Sequence, residues 1–318
     1  MKITTTLFLG VLLTGVGVYY FVWEKPISFK SQAEASPVRV LALAQGDIPS
    51  WLMVQNQATK EMISLKREGG DWWLEFPVSY PAENLLVEGM ISALTYSNRV
   101  RRLSMENLEK QEYGFDSPKI KIGIATAKEP RPRYLLFGGA SPVNRGVYAW
   151  WEGEKEYFLI PPELKASFER TVYSLRKKKI FRSNMKETVW IHMKSGPQEY
   201  RLEKKEGKWF WTLPALAGEI PEDKVSELLS SFETLYVNEF MDGQNLDDAK
   251  FGLQPRDIFL AAGTKPDQGE KLILGNLAGG KEALYSLREN ENVVLLVSAE
   301  HLKALLQRFE LTFQEMRV

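Results

Sequence analysis

The chain contains no cysteine among its 318 residues. That absence removes disulfides, thiolate metal sites, cysteine nucleophiles and a lipidated N-terminal cysteine together. It fits an oxidising exterior, where stray thiols are a liability. Histidine is scarce as well. His192 and His301 are the two present and stand far apart in the chain, so no histidine-rich metal site is expected. An excess of charge of either sign is also missing. Lys plus Arg and Asp plus Glu both number 41, giving zero net charge. A nucleic-acid partner, which favours a strongly basic domain, is therefore not expected. At 44% hydrophobic and 26% charged residues the composition is globular rather than disordered, and the length suits about two domains.

One long apolar run is present. Ile3 to Trp23 carries no charge, and Tyr19, Tyr20 and Trp23 gather at its end as an interfacial aromatic belt would. A helix of about 20 residues spans a bilayer core, so residues 1–23 are expected to form a transmembrane anchor. The rival is a cleaved signal peptide. The small-x-small pattern Ala33-Glu34-Ala35 lies well past the run, with Glu24, Lys25 and Lys30 between, which suits cleavage poorly. Residues 24–37, polar and holding Pro26 and Pro37, read as a stalk. The very short tail before the span predicts a single-pass protein of the cytoplasmic (inner) membrane. The bulk of the chain would lie on the extracytoplasmic side, in the periplasm of a diderm source.

The soluble part is written twice. Gly70-Asp71-Trp72-Trp73-Leu74-Glu75-Phe76-Pro77 returns as Gly207-Lys208-Trp209-Phe210-Trp211-Thr212-Leu213-Pro214. Tyr113-Gly114-Phe115 returns as Phe251-Gly252-Leu253, Gly138 as Gly275 and Tyr148 as Tyr285, all at a shift of 137 or 138 residues. A near-constant shift means two copies of one domain, expected over 38–181 and 182–318. Alternating apolar residues around glycine turns open each copy as strands. A helix follows, with Leu86, Met90, Ile91 and Leu94 in the first copy and Val225, Leu228, Leu229 and Phe232 in the second. More strands come next, and a closing helix ends each copy, from about Pro162 to Leu175 and from Ala299 to Phe309. The predicted fold class is α+β: a transmembrane helix followed by two tandem repeats, each a mainly antiparallel sheet with two helices.

Candidate sites are few. Phe137-Gly138-Gly139-Ala140-Ser141 lacks the Lys-Ser/Thr of a phosphate loop and the spacing of a dinucleotide fingerprint. It and its twin at Gly275 read as strand-to-strand turns. Tyr148 and Tyr285 are groove contacts or packed strand residues. Arg99, Arg101 and Arg102, with Arg176, Lys177, Lys178 and Lys179, are either an anionic-surface contact or solvated helix ends. Trp72, Trp73, Trp150 and Trp151 offer a partner or ligand surface, because alternation turns one member of each pair outward unless something covers it. No nucleophile, carboxylate pair or metal motif stands out, so no catalytic residue, cofactor or metal is expected.

Further landmarks follow in a fixed order: the short anchor, the Trp-x-Leu strand before proline and the Asn107-Leu108…Tyr113-Gly114-Phe115-Asp116-Ser117-Pro118 turn. Leu135-Leu136-Phe137-Gly138, Val147-Tyr148-Ala149, Phe158-Leu159-Ile160-Pro161 and Leu175-Arg176-Lys177-Lys178 complete the set. Together they resemble the domain-of-unknown-function family 4340. The second copy departs from it: Phe251-Gly252-Leu253-Gln254-Pro255 lacks the aspartate, and the last helix lacks the Leu-Arg-Lys ending. The resemblance implies a membrane-anchored extracytoplasmic protein whose genes stand beside ABC-type transport systems, as an auxiliary component. The expectation is thus a non-enzymatic envelope protein that assists or scaffolds such a system, with permease subunits as partners. The alternative is a glycan- or cell-wall-binding module using exposed tryptophans.

Overall fold

The computed structural model describes residues 37–104, 109–142, 146–216, 218–266 and 268–315. The chain divides into two compact units. The first runs to Ser79 and resumes over Asn84–Arg170; the second takes Tyr80–Glu83 and everything from Thr171.

The first unit is built from β1 (Pro49–Asn56), β2 (Glu61–Glu68), β3 (Asp71–Phe76), α1 (Asn84–Tyr96), β4 (Arg101–Ser104), β5 (Ile120–Thr126), β6 (Arg133–Ala140), β7 (Val147–Trp151), β8 (Glu156–Ile160) and α2 (Pro162–Ser167). Its strands pair antiparallel in the order β3-β2-β1-β5-β6-β7-β8-β4. The second unit holds α3 (Val172–Leu175), β9 (Trp190–Ser195), β10 (Gln198–Lys205), β11 (Lys208–Leu213), α4 (Glu222–Glu233), β12 (Val237–Met241), β13 (Phe259–Lys265), β14 (Gln268–Leu277), β15 (Ala283–Arg288), β16 (Val294–Ser298) and α5 (Ala299–Glu315). Its order is β11-β10-β9-β13-β14-β15-β16-β12, the same path eight strands later.

Side-chain alternation explains the opening three strands of each unit. Leu52, Val54, Ile63, Leu65, Trp72 and Leu74 are buried while most of their neighbours are not, as period-two strands with one covered face require. The stripe Val87, Met90, Ile91 and Leu94 is the buried face of α1, which packs on β3. Beyond β1 the sheet is covered on both faces. Leu136, Trp150 and Tyr157 meet Phe115 on one side, and Phe137 meets Phe168 edge-on at 6.1 Å on the other. This double cover is why β6, β7 and β8 read as nearly unbroken apolar runs.

Four sequence expectations need correction. First, among the described residues no helix is long and apolar enough to cross a membrane. The described residues thus form two sheet-rich units with no transmembrane helix among them; the expected anchor, 1–23, and the expected stalk, 24–37, apart from its last residue, lie outside the described residues. Second, the two-helix count holds for the repeat 182–318, with α4 and α5, whereas 38–181 carries α1, α2 and α3. The predicted helix Pro162–Leu175 breaks into α2 and α3, because a capping box of Thr171 and Ser174 starts a fresh helix.

Third, Gly138 and Gly275 lie inside β6 and β14, not in turns. Glycine is needed there for space. A Cβ on Gly138 would sit about 1 Å inside the 3.0 Å limit from the Tyr113 carbonyl oxygen, and one on Gly275 the same from that of Phe251. The positive-φ residues are instead Gly114 (φ 76°) and Gly252 (φ 63°), which end the 3₁₀ turns Lys110–Tyr113 and Ala249–Phe251 that press on those strands. Fourth, Arg101 and Arg102 belong to the edge strand β4, not to a helix end.

Candidate functional site

The most site-like place in the first unit grows from the outward face of the opening strands. Register sets Trp51 opposite Lys66, and Lys66 opposite Trp73, so Trp73–Lys66–Trp51 forms one row across β3, β2 and β1. Gly123 in β5 lets the Trp51 ring lie flat: a Cβ there would be 2.9 Å from its Cζ3. Beside Trp51 opens a hollow of about 420 Å³, edged by Lys66, Arg67, Glu75, Thr126, Pro130 and Pro132. An aromatic platform ringed by a few polar groups is the usual form of a small-ligand site.

The second unit repeats the row with a different charge. Trp190 faces Glu203, and Glu203 faces Phe210. Trp190 lies over Gly263 and Gly269 and donates its indole N–H to the Lys265 carbonyl at 2.6 Å. Arg201 stacks over the Trp190 ring at 5.2 Å and pairs with Glu203 at 2.8 Å. The two units thus present aromatic–charge–aromatic rows of like shape, with Lys66 at the centre of one and Glu203 at the centre of the other.

Of the tryptophans singled out in the sequence, only Trp73 is exposed, at 37%; Trp72, Trp150 and Trp151 are buried. Trp72 donates to Glu88 Oε1 at 2.9 Å under the Arg67 guanidinium. Trp150 donates to the Glu154 carbonyl and Trp151 to the Val40 carbonyl, both at 2.9 Å. Both members of the Trp150/Trp151 pair are covered because β7 has packing on both faces. Tyr148 and Tyr285 are half-buried and equivalent: Tyr148 meets Tyr113 edge-on at 4.7 Å, and Tyr285 meets Phe251 at 4.9 Å. They anchor the 3₁₀ turns to the sheets. Trp51 and Trp190 carry the rows. The sequence signal that could have ranked them above the buried tryptophans is a strand glycine on the neighbouring strand.

The basic residues separate. Arg101 and Arg102 are exposed, while Arg99 pairs with Glu154 at 3.0 Å and stacks on Phe158. Arg176 is buried within the second unit. It makes two bonds to Asp242, at 2.7 and 2.9 Å, and lies between the Tyr80 and Phe240 rings. Lys178 donates to the Ser174 carbonyl at 2.9 Å, and burial holds its ammonium pKa below the usual lysine value. Lys177 and Lys179 are half-buried.

Near Arg176 runs an ionic network. Arg182 donates to Tyr80 Oη at 2.7 Å and pairs with Glu291 at 3.0 Å, and Arg288 bridges Glu270 and Glu291. Glu270 also accepts the backbone N–H groups of Arg182 and Ser183. Burial chiefly pushes the Tyr80 hydroxyl up to about 12, with Arg182 opposing and Glu291 adding to the rise. Every charge in this network has a partner, which marks it as structural. Among the described residues no group of three or more His, Asp or Glu gathers as a metal would require. His192 is engaged by Glu199 at 2.9 Å.

Comparison with known proteins gives one informative result. No curated protein and no solved structure matches the chain. Residues 72–255, more than half of the chain and running through both units, match the family described as Domain of unknown function (DUF4340). With the shared Trp-strand and Gly-turn landmarks inside that span, the chain belongs to the DUF4340 family.

Proposed function

We propose that this chain is a non-enzymatic, extracytoplasmic protein that serves as an auxiliary or scaffold component of an ABC-type transport system. The observation that carries this reading is the pair of aromatic rows, alike in shape and opposite in central charge, Trp73–Lys66–Trp51 and Phe210–Glu203–Trp190. One scaffold used twice with unlike surfaces suits a protein that holds two different partner segments. Charge placed in an otherwise similar row discriminates between partners more than it adds affinity. Deleting the gene from the source organism tests the reading. The proposal expects the assembled transporter to shrink on native gels and transport to fall. An unchanged complex with unchanged transport would overturn it.

A second reading, glycan binding, is favoured by the hollow at Trp51. A flat, half-buried indole with Lys66, Arg67 and Glu75 at its rim has the apolar platform and polar edge that sugar rings use. It predicts a saturable change in tryptophan fluorescence with envelope polysaccharides that Trp51→Ala removes. No response across a panel of such polysaccharides counts against it.

A further inference from the structure

The duplication supplies an internal control for one position in the second unit. In the first unit, the buried Trp72 indole N–H is capped by the Glu88 carboxylate of α1, which also binds Arg67. The Arg67 guanidinium sits 4.8 Å from the Trp72 ring centre. Indole donor, carboxylate and cation form a closed set.

In the second unit a shift of 137 places Trp209 at Trp72 and Lys204 at Arg67, and the helix shift of 138 places Ser226, on α4, at Glu88. The helix alignment is fixed by Val87 with Val225 and Leu94 with Phe232, all buried. Trp209 is 1% exposed, and among the described residues its Nε1 has no hydrogen-bond partner. Lys204 Nζ lies 5.7 Å from the Trp209 ring centre. It pairs with Glu222 at 3.4 Å, whose side chain is 65% exposed, a pairing of little strength in water. A hollow of about 260 Å³ lies here, lined by Trp209, Lys204, Ser226 and Leu229, with Glu222 and Glu233 also on its wall. The cation and the indole donor remain, and the carboxylate that joins them in the sister unit is missing.

We propose that this hollow binds an organic monocarboxylate, independently of the transport and glycan readings above. The ligand carboxylate takes the place of Glu88. Its entry draws the Lys204 ammonium away from Glu222 and displaces the side chains that close the Trp209 indole N–H to solvent, and the carboxylate then accepts from that N–H and from the Ser226 hydroxyl. An apolar body attached to it lies on Leu229. Satisfying a buried orphan donor with a charged acceptor is among the stronger gains that one hydrogen bond offers. Glu222 and Glu233 on the same wall, offset by one further cation, Lys186, favour a singly charged ligand over dicarboxylates and phosphates.

The carboxylate could belong to a free acid or to a peptide C-terminus, and both are tested on the full chain by indole N–H resonances in ¹H–¹⁵N spectra. The Trp209 signal is assigned from Trp209→Phe. Phenylacetate and an acetylated tripeptide ending in free phenylalanine are the probes; phenylacetamide and the amidated tripeptide are the controls. The proposal expects a saturable downfield shift of the Trp209 signal with at least one acid. It expects no such shift with the neutral controls and none in the Trp72 signal. The probe that saturates at lower concentration identifies the source. Lys204→Gln should weaken binding roughly tenfold. Ser226→Glu should reproduce the first unit, move the Trp209 signal without ligand and abolish the response. No saturable shift with either acid, an equal shift with phenylacetamide, or undiminished binding in Ser226→Glu would each overturn it.

Discussion

Adding one methyl group at Gly138 should cost the first unit much of its stability. The strand and the 3₁₀ turn above it meet backbone to backbone here. A Cβ at Gly138 would fall about 1 Å inside 3.0 Å from the Tyr113 carbonyl oxygen, with the Phe115 ring at 3.2 Å. Neither neighbour can yield as a flexible side chain would. The turn must lift, carrying Tyr113 and Phe115 away from Tyr157 and Trp150, which they now touch with ring centres 4.7 to 5.9 Å apart. Overpacking of a close-packed core typically costs 1–3 kcal/mol, and partial loss of the aromatic cluster adds to that, so about 2–4 kcal/mol is expected. Gly139→Ala is the control, since its Cβ would lie 3.8 Å from the same oxygen, an ordinary contact. Urea unfolding followed by tryptophan fluorescence should show the first unit's midpoint falling by roughly 1–2 M in Gly138→Ala and hardly moving in Gly139→Ala. Gly275→Ala should do the same to the second unit, where the Phe251 carbonyl stands in the same relation. Equal midpoints for Gly138→Ala and wild type, or an equal loss in Gly139→Ala, would refute the close-approach argument.

Glu88→Ala removes the acceptor shared by Trp72 and Arg67 and should destabilise the first unit by about 1–3 kcal/mol, read by the same unfolding assay. Arg176→Met leaves Asp242 without its two bonds. Because the Asp242 side chain is 43% exposed, the loss should be about 2–3 kcal/mol, less than for a fully buried pair. The Tyr80 hydroxyl, raised from 10.0 to about 12 by burial, is favoured neutral in the folded second unit. Its contribution is therefore complete below pH 10 and lost as pH climbs through about 12, some 2–3 kcal/mol in all. Ultraviolet titration of the phenolate band should show one tyrosine ionising near 12 that is missing in Tyr80→Phe. A band complete by pH 11 would count against the burial argument.

Much of the architecture could be read from the sequence because its landmarks are backbone necessities. Gly114 and Gly252 supply the left-handed turn ends, and Gly138 and Gly275 supply close approach, so they recur where freer positions have drifted. The edge strands β4 and β12 escaped notice. Arg101-Arg102-Leu103 and Val237-Asn238-Glu239 carry the charged and polar residues that protect an exposed edge, which blurs the strand period. Trp150 and Trp151 misled for the opposite reason: alternation assumes one covered face, and β7 has two. The aromatic rows were half visible. One of Trp72 and Trp73 was expected outward, and it is Trp73, but its partners Lys66 and Trp51 come from register across strands, which spacing along the chain does not give. The Trp209 hollow needed the comparison of Glu88 with Ser226, and that follows only once both helices are aligned by their buried faces.

The account's central claim, that a duplicated scaffold serves a transport complex, is tested most directly by cross-linking the full-length protein in its source cells. The protein is then purified under denaturing conditions, and the attached chains are quantified. The account predicts strong enrichment of ABC-type permease or ATPase subunits over an unrelated envelope bait, reduced when Lys66 and Glu203 are exchanged. Eluates in which those subunits are no more abundant than with the unrelated bait would contradict it.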